Sequence, residues 1–407
     1  MISLHASRAL ICGLILALGG GEGRAIEPAD SSRDVKVGVL VSLSGSWSSL
    51  GKNTVAALRV AADDLGSKSP YRFQFLVRDT KLDPARALAA IKGLYRRGVR
   101  IVIGPQSSAE VAMIKPFADA HKMLVISQGS TASSLAIPGD NIFRFCPNDT
   151  REAPAVVALM RRDGIRAIVP LWRNDRGNNG LRDSVKGVFE AVGGTVAQGY
   201  RYETTTTDFS TATSDVSQQI DALVTGGTPQ SEIAVYCAAF DEVVDVFHSA
   251  QGLPTLAGTA WYGSDGVAQS TALVGDAPAA AFAAGAGYPN PIFGLKDSLA
   301  PKWRPVSNAI RKRTGIVPDA FALSAYDALF VARDALRKTK GGRNFPKFKA
   351  AFLQQSRRFS GVTGSTALDA AGDRRSSDFD FWAVRSVNGS YVWVRTGTYH
   401  DGVLTVF

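Results

Sequence analysis

β-Branched apolar runs and amphipathic helical stretches alternate along this chain at near-regular spacing, and few folds accommodate that order. Strand-like runs at Val35–Leu43, Tyr71–Val77, Arg100–Ile103 and Met123–Ile126 are separated by helical stretches at Thr54–Leu65, Pro84–Arg97 and Ala109–His121. The second helix opens on Asp83 followed by Pro84, an N-cap acid before a first-turn proline. After the run Ile142–Cys146 the order restarts with helix Arg151–Asp163, strand Arg166–Leu171, helix Asn179–Ala191, strand Thr195–Tyr202, helix Phe209–Val224, strand Glu232–Ala238 and helix Asp241–Ala250. Repeated βα units predict parallel sheets covered on both faces, and two consecutive series predict an α/β chain of two doubly wound parallel-sheet lobes.

In such sheets ligands bind beyond the carboxyl ends of the strands. That rule directs attention to Ser44–Gly51, Gly104–Ser108, Ser127–Thr131, Trp172–Gly177, Ala239–Phe240 and Gly263–Gly266, which are small and polar. The first of these, following VKVGVLVSL, imitates a phosphate-binding loop but fails its spacing. Five residues separate Gly45 from Gly51, and Asn53 follows Lys52 where Ser or Thr is required.

The first 25 residues read as a secretory signal peptide cleaved near Ala25: Arg8, then the short apolar run Ala9–Leu18, then small residues. That run is too short to span a bilayer, so an exported protein is expected. Cys146 and Cys237 remain after processing, and the sequence leaves open whether they pair or stay free. The net charge of +10 comes from Lys and Arg scattered over helix faces, with no basic block interleaved with aromatics. Nucleic acid is therefore not an expected partner.

Catalysis finds little support in the motifs, and an exported hydrolase using Ser108 or Asp265 is the rival reading. His5, His121, His248 and His400 are dispersed, no GxSxG or HExxH occurs, and no Cys/His spacing fits a metal site. No enzyme activity, cofactor or metal is expected.

Nine segments in order carry a family likeness: LSGSWSSLG (43–51), RDTKLDP (78–84), IGPQSSA (103–109), ISQGSTASSLA (126–136), FRFCPNDT (143–150), TDFS (207–210), YGSDG (262–266), SAYDAL (324–329) and GSTALDAAGDR (364–374). With them the chain resembles periplasmic solute-binding proteins of the leucine/isoleucine/valine-binding type, which serve uptake of amino acids and amides by ABC transporters. The resemblance runs from about Val35 to about Trp393. It implies the type I periplasmic-binding fold, with residues 35–147 and 286–362 in lobe 1, residues 148–285 and 363–400 in lobe 2, and three crossover strands as hinge. It further implies a periplasmic monomer, an amino-acid or amide ligand, and a membrane ABC permease as partner.

An α-amino acid needs donors for its carboxylate and an acid for its ammonium group, because unpaired buried charge is costly. The resemblance assigns the carboxylate to hydroxyls at Ser108 and Thr131 and to backbone N–H groups at Ser108, Gly129 and Thr131, with Ser130 between them. Taken alone, these serines also suit helix N-capping by Ser107, Ser108 or Ser133. Asp265, with Gly266, aligns with the acid that holds the ligand ammonium; by itself it also fits an Asx-turn. Trp47, Leu50, Phe240 and Phe321 are candidates for the rest of the pocket or for core. Similar proteins often carry an aromatic where this chain has Arg176, which reads either as a surface arginine or as a cleft residue selecting a distal acidic group. The function expected is an exported receptor that delivers its ligand to a permease; the alternative is a ligand-sensing receptor or regulator of the same fold.

Overall fold

The computed structural model describes residues 33–407; the signal-peptide reading lies outside the described residues. In the first lobe, β1 (Arg33–Val41), β2 (Tyr71–Asp79), β3 (Ile101–Ile103), β4 (Leu124–Ser127) and β5 (Ile142–Arg144) form one sheet in the order β2-β1-β3-β4-β5. All its neighbours run parallel. The helices α1 (Ser48–Leu65), α2 (Pro84–Arg96) and α3 (Ser108–Ala120) supply the crossovers. Asp83 caps α2, accepting from the N–H groups of Ala85 and Arg86, with Pro84 at the first helical position as read from sequence.

The second lobe begins with α4 (Asp149–Arg162), β6 (Ala167–Arg173), α5 (Arg176–Ala191), β7 (Thr195–Val196), β8 (Tyr200–Tyr202), α6 (Ser210–Thr225), β9 (Ile233–Ala238), α7 (Val243–Ala250), α8 (Pro254–Ala257) and β10 (Ala260–Tyr262). Its sheet runs β10-β9-β6-β7, with β8 also on β6, and is parallel throughout. The single strand expected over Thr195–Tyr202 is two short ones. Pro170 of β6 lies between the two pairings and has no N–H for the ladder. There Gly199 takes a φ of 70°, and a Cβ on it would stand 2.2 Å from the Pro170 carbonyl.

Past α9 (Thr271–Gly275) and α10 (Ala277–Gly285), β11 (Asn290–Phe293) leads back to the first lobe through α11 (Ala300–Thr314), α12 (Ala320–Lys338) and α13 (Phe345–Arg358). A hairpin of β12 (Ser360–Gly361) and β13 (Gly364–Ser365) precedes β14 (Phe379–Val387), β15 (Ser390–His400) and β16 (Val403–Val406). These last three join β11 in an antiparallel sheet, β11-β14-β15-β16, which the βα reading did not anticipate. One core packs β1, β3 and β4 against α1, α12 and α13, and includes Val362 and Leu368. Another packs β6 and β9 against α6, α7 and α10, and includes Tyr288 and Val384.

The crossing segments are fastened by buried arginines. Arg144 Nε donates to Asp373 Oδ1 at 2.6 Å, both side chains being 1% exposed. Arg374 donates to the carbonyls of Phe145 and Thr363, and its guanidinium lies 4.6 Å from the centre of the Phe293 ring. Tyr326 donates to Asp64, and Asp327 accepts the N–H groups of Val362 and Thr363, so both hold α12 in its lobe. Cys146 and Cys237 are free and buried.

Candidate ligand-binding cleft

The carboxyl ends of the two parallel sheets meet at a cavity of about 20 Å³. Lobe 1 contributes Trp47, Ser107, Ser108, Gly129 and Thr131; lobe 2 contributes Asp175, Gly177, Asn178, Leu181, Phe240 and Asp265. Such a volume holds about one water. A larger ligand enters only if the lobes part.

The lobe 1 wall is a donor surface. Ser107, not Ser108, caps α3: it forms a capping box with Glu110, whose carboxylate accepts the Ser107 hydroxyl at 2.6 Å. Ser108 is thereby released from capping. Its Oγ accepts the Ala132 N–H at 3.1 Å and lies 3.0 Å from Ser130 Oγ. Ser130 is fully buried, its N–H taken by Ser127 Oγ and its carbonyl by Arg144 and Cys146. It therefore supports the wall from behind, while Gly129 and Thr131 on either side reach the cavity.

The lobe 2 wall is acidic. Asp265 is 4% exposed, and among the described residues its Oδ2 has no hydrogen-bond partner. Burial, with Asp149 adding like-charge repulsion, pushes its carboxyl up to about 8. Asp175 is different: it caps α5 through the Asn178 N–H at 2.9 Å and accepts Arg173 Nε at 2.9 Å. Its charge is already answered. Arg173 also reaches Glu242 at 3.4 Å and lies 5.5 Å from the centre of the Phe240 ring.

Aromatic rings close the remaining side. Trp47 and Phe240, from opposite lobes, have ring centres 4.8 Å apart, and Phe321 meets Trp47 edge-on at 6.3 Å. Leu50 and Phe321 stand behind Trp47 in an apolar cluster between the lobes that also holds Cys146, Ile292 and Phe293.

The sequence profile of the family described as periplasmic binding protein matches residues 34–389. The chain belongs to that family. The Leu/Ile/Val-binding protein BraC3 of Rhizobium johnstonii is 23% identical to this periplasmic binding protein over 363 residues, 86% of this chain and 91% of that one. The leucine-binding protein LivK of Thermotoga maritima superposes with a TM-score of 0.73 at 19% identity, covering 90% of this chain and 99% of that one. A solute-binding protein of R. palustris in complex with 4-hydroxybenzoate gives 0.74 at 15% identity, covering 91% and 98%. The folds agree; the ligands in those descriptions do not.

Of the residues singled out in this periplasmic binding protein's sequence, Trp47, Ser108, Gly129, Thr131, Phe240 and Asp265 converge on the cavity. Ser130, Leu50 and Phe321 back it. Gly266 lies behind Phe240, where a Cβ would stand 2.8 Å from that ring. Arg176 is exposed and donates to Ser134 Oγ of lobe 1 at 3.2 Å. It sits at the rim, outside the cavity lining, because as the first residue of α5 after the Asp175 cap its side chain turns outward along the helix start.

Asn178 and Leu181 were missed, although with the cap Asp175, inside the Trp172–Gly177 segment already marked, their spacing of three marks one face at the start of α5. Asp149 and Glu152 were missed as well. They read as ordinary first-turn acids of α4, but both are buried. The three described histidines serve local structure: His121 stacks on Phe117, His248 reaches Asp276 and His400 reaches Asp380.

Proposed function

We propose that this chain is an exported solute receptor that binds an amino acid, or a related small polar ligand such as an amide, between its closing lobes and hands it to an ABC-type permease. The observation that carries the reading is the buried, incompletely partnered Asp265 of one lobe in the same cavity as Ser108, Gly129 and Thr131 of the other. An α-amino acid presents opposite charges a few ångströms apart. Hydroxyl and N–H donors suit its carboxylate, and Asp265 suits its ammonium group. Because the two sets sit on different lobes, a ligand gains both only in the closed form, so binding and closure are one equilibrium.

Trp47, Leu181 and Phe240 offer apolar surface to a ligand side chain. An aromatic acid without an amino group would leave Asp265 facing no cation, at the cost of an unpaired buried carboxyl. A thermal-shift screen of α-amino acids, their amides, benzoate and 4-hydroxybenzoate tests the reading. One or more amino acids or amides should stabilise the protein, by about 2.7 kcal/mol at a hundred times Kd, and be recovered unchanged. Stabilisation by the benzoates alone would overturn it.

A further inference from the structure

Behind the lobe 2 wall Asp265 belongs to an acidic recess whose other two members, Asp149 and Glu152, lie outside the cavity lining. Asp149 and Glu152 come from the first turn of α4, and Asp265 from the loop after β10. All three are buried, and the Asp265 N–H donates to Glu152 Oε1 at 3.4 Å. Among the described residues both oxygens of Asp149 and Oδ2 of Asp265 lack a well-formed hydrogen bond, although the Thr131 hydroxyl and the Ser133 N–H face Asp149. Gly180 of α5 closes the recess, where a Cβ would come within 2.5 Å of Asp149 Oδ2.

An independent group points into the same place. Tyr236 of β9 is 0% exposed, its hydroxyl has no partner among the described residues, and the charges acting on it are first those of Glu152, Asp265 and Asp149. The other titratable or charged neighbours are Asp175 at the cap of α5, Arg144 of β5 and the buried Cys146 thiol that follows it. The Arg144 charge favours ionised Asp149, but burial outweighs it, and the guanidinium is bonded to Asp373 and to the Ser130 and Ala132 carbonyls rather than to the recess. Among the described residues no acids converge in a way that would hold a metal ion. Like charges this close and this dry are relieved by keeping protons.

We propose that Asp149, Glu152 and Asp265 hold a shared proton at neutral pH, that a ligand ammonium group arriving at Asp265 displaces it, and that Asp149 is a positioning residue setting the pH of the exchange through Asp265. The step balances. A neutral carboxyl group and an ammonium ion meet, a carboxylate–ammonium pair stays in the cleft, and one proton leaves to the buffer. Burial above all raises Asp149 to about 7 and Asp265 to about 8, and raises Glu152 strongly. The shared proton lowers the negative charge the cleft carries without ligand, and an uncharged isostere has no proton to exchange for.

The inference rests on the amino-acid reading, and two measurements separate their failures. Carboxyl ¹³C NMR titration of the ligand-free protein, assigned with Glu152→Gln and Asp265→Asn, should show the cluster still carrying a proton at neutral pH. Three ionised carboxylates there would overturn the inference whatever the ligand is. Calorimetry with L-leucine, or with whichever α-amino acid the screen returns, in buffers of different ionisation heat should show about one proton released, and affinity rising by up to tenfold per pH unit below the ligand-free pKa. Asp149→Asn removes the like charge and should move that pH dependence about one unit towards acid, with affinity at high pH retained. Buffer-independent heats with a flat pH profile overturn the exchange while leaving the amino-acid reading intact.

Discussion

The backbone N–H of Trp47 in the first lobe donates to Oδ2 of Asp241 in the second at 2.8 Å. The Asp241 N–H answers by donating to Ser46 Oγ at 3.2 Å, and Ser270 Oγ donates to Asp241 Oδ1 at 2.6 Å. Trp47 holds a φ of 59° there, a left-handed conformation that costs a side-chain-bearing residue about 1–2 kcal/mol. Gln106 Nε2 braces the turn by donating to the Trp47 carbonyl at 2.9 Å. The same turn sets the Trp47 ring against Phe240, so the latch and the aromatic wall form together.

Asp241 lies outside the cavity lining, and its replacement therefore isolates closure from ligand contact. Asp241→Ala removes a charged hydrogen bond made only when the lobes meet, worth about 1.5–3 kcal/mol. Ligand affinity should fall by roughly tenfold to a hundredfold, through faster dissociation. Stopped-flow measurement of the dissociation rate checks this; an unchanged rate would remove the latch from the energetics of closure.

Closure itself has a shape signature. With space for about one water between the walls, an amino acid must be admitted by an open form and enclosed by a closed one. The radius of gyration from small-angle scattering should decrease when ligand is added to saturation. Identical curves with and without ligand would rule out hinge closure as the binding step.

Local chemistry explains what the sequence made legible here. The small polar segments after Ile103, Ile126 and Tyr262 mark strand ends, and in a parallel sheet all such ends face one way, so Ser108 and Thr131 were readable as neighbours within one lobe, while the family resemblance alone brought Asp265 of the other lobe to them. Asp149 was not, because an acid in a helix's first turn is stabilised by the helix dipole wherever it occurs. Only tertiary packing places Asp149 against Gly180 and the Asp265 loop. The β14–β16 sheet escaped notice for a related reason. Its strands alternate weakly, carry Arg385 and Arg395 and flank the turn residue Asn388, which together resemble loop composition until β11 supplies the partner edge.

Arg176 stands at the rim with its guanidinium on Ser134. An exposed polar contact of this kind is worth a few tenths of a kcal/mol to about 1 kcal/mol. Arg176→Tyr should therefore leave the ranking of ligands in a thermal-shift panel unchanged. A shift of preference towards apolar amino acids would show that the arginine swings into the cleft in solution.

The recess makes ligand-free stability depend on pH in a direction that can be worked out. Burial raises the folded-state pKa of Asp149 to about 7 and of Asp265 to about 8 from an ordinary 3.8. The folded form thus binds these protons more tightly than the unfolded chain. That contribution is fully present below about pH 3.8 and is lost as pH rises through the folded values. Urea unfolding of the parent and of Asp149→Asn at pH values from about 5 to about 8 should diverge, the parent losing stability relative to the variant as pH rises. A constant difference across that range would show that Asp149 ionises as freely in the fold as in the unfolded chain.

The sharpest test of the cleft compares an amino acid with its des-amino analogue. Truncating one partner of a buried hydrogen-bonded charge pair costs about 2–5 kcal/mol, mostly by stranding the other charge. Asp265→Ala should accordingly weaken L-leucine, or the amino acid found by screening, by roughly 30-fold or more. Ser108→Ala should cost less, since Gly129 and Thr131 keep their N–H groups on the same wall. With 4-methylpentanoate, which lacks the amino group of leucine, Asp265→Ala should bind no worse than the parent, because a carboxyl with no cation to meet is no longer enclosed. Calorimetry on both proteins with both compounds completes the cycle. If the variant loses the same affinity for each, Asp265 does not meet the ligand's ammonium group, and its place in the Gly263–Gly266 turn accounts for it.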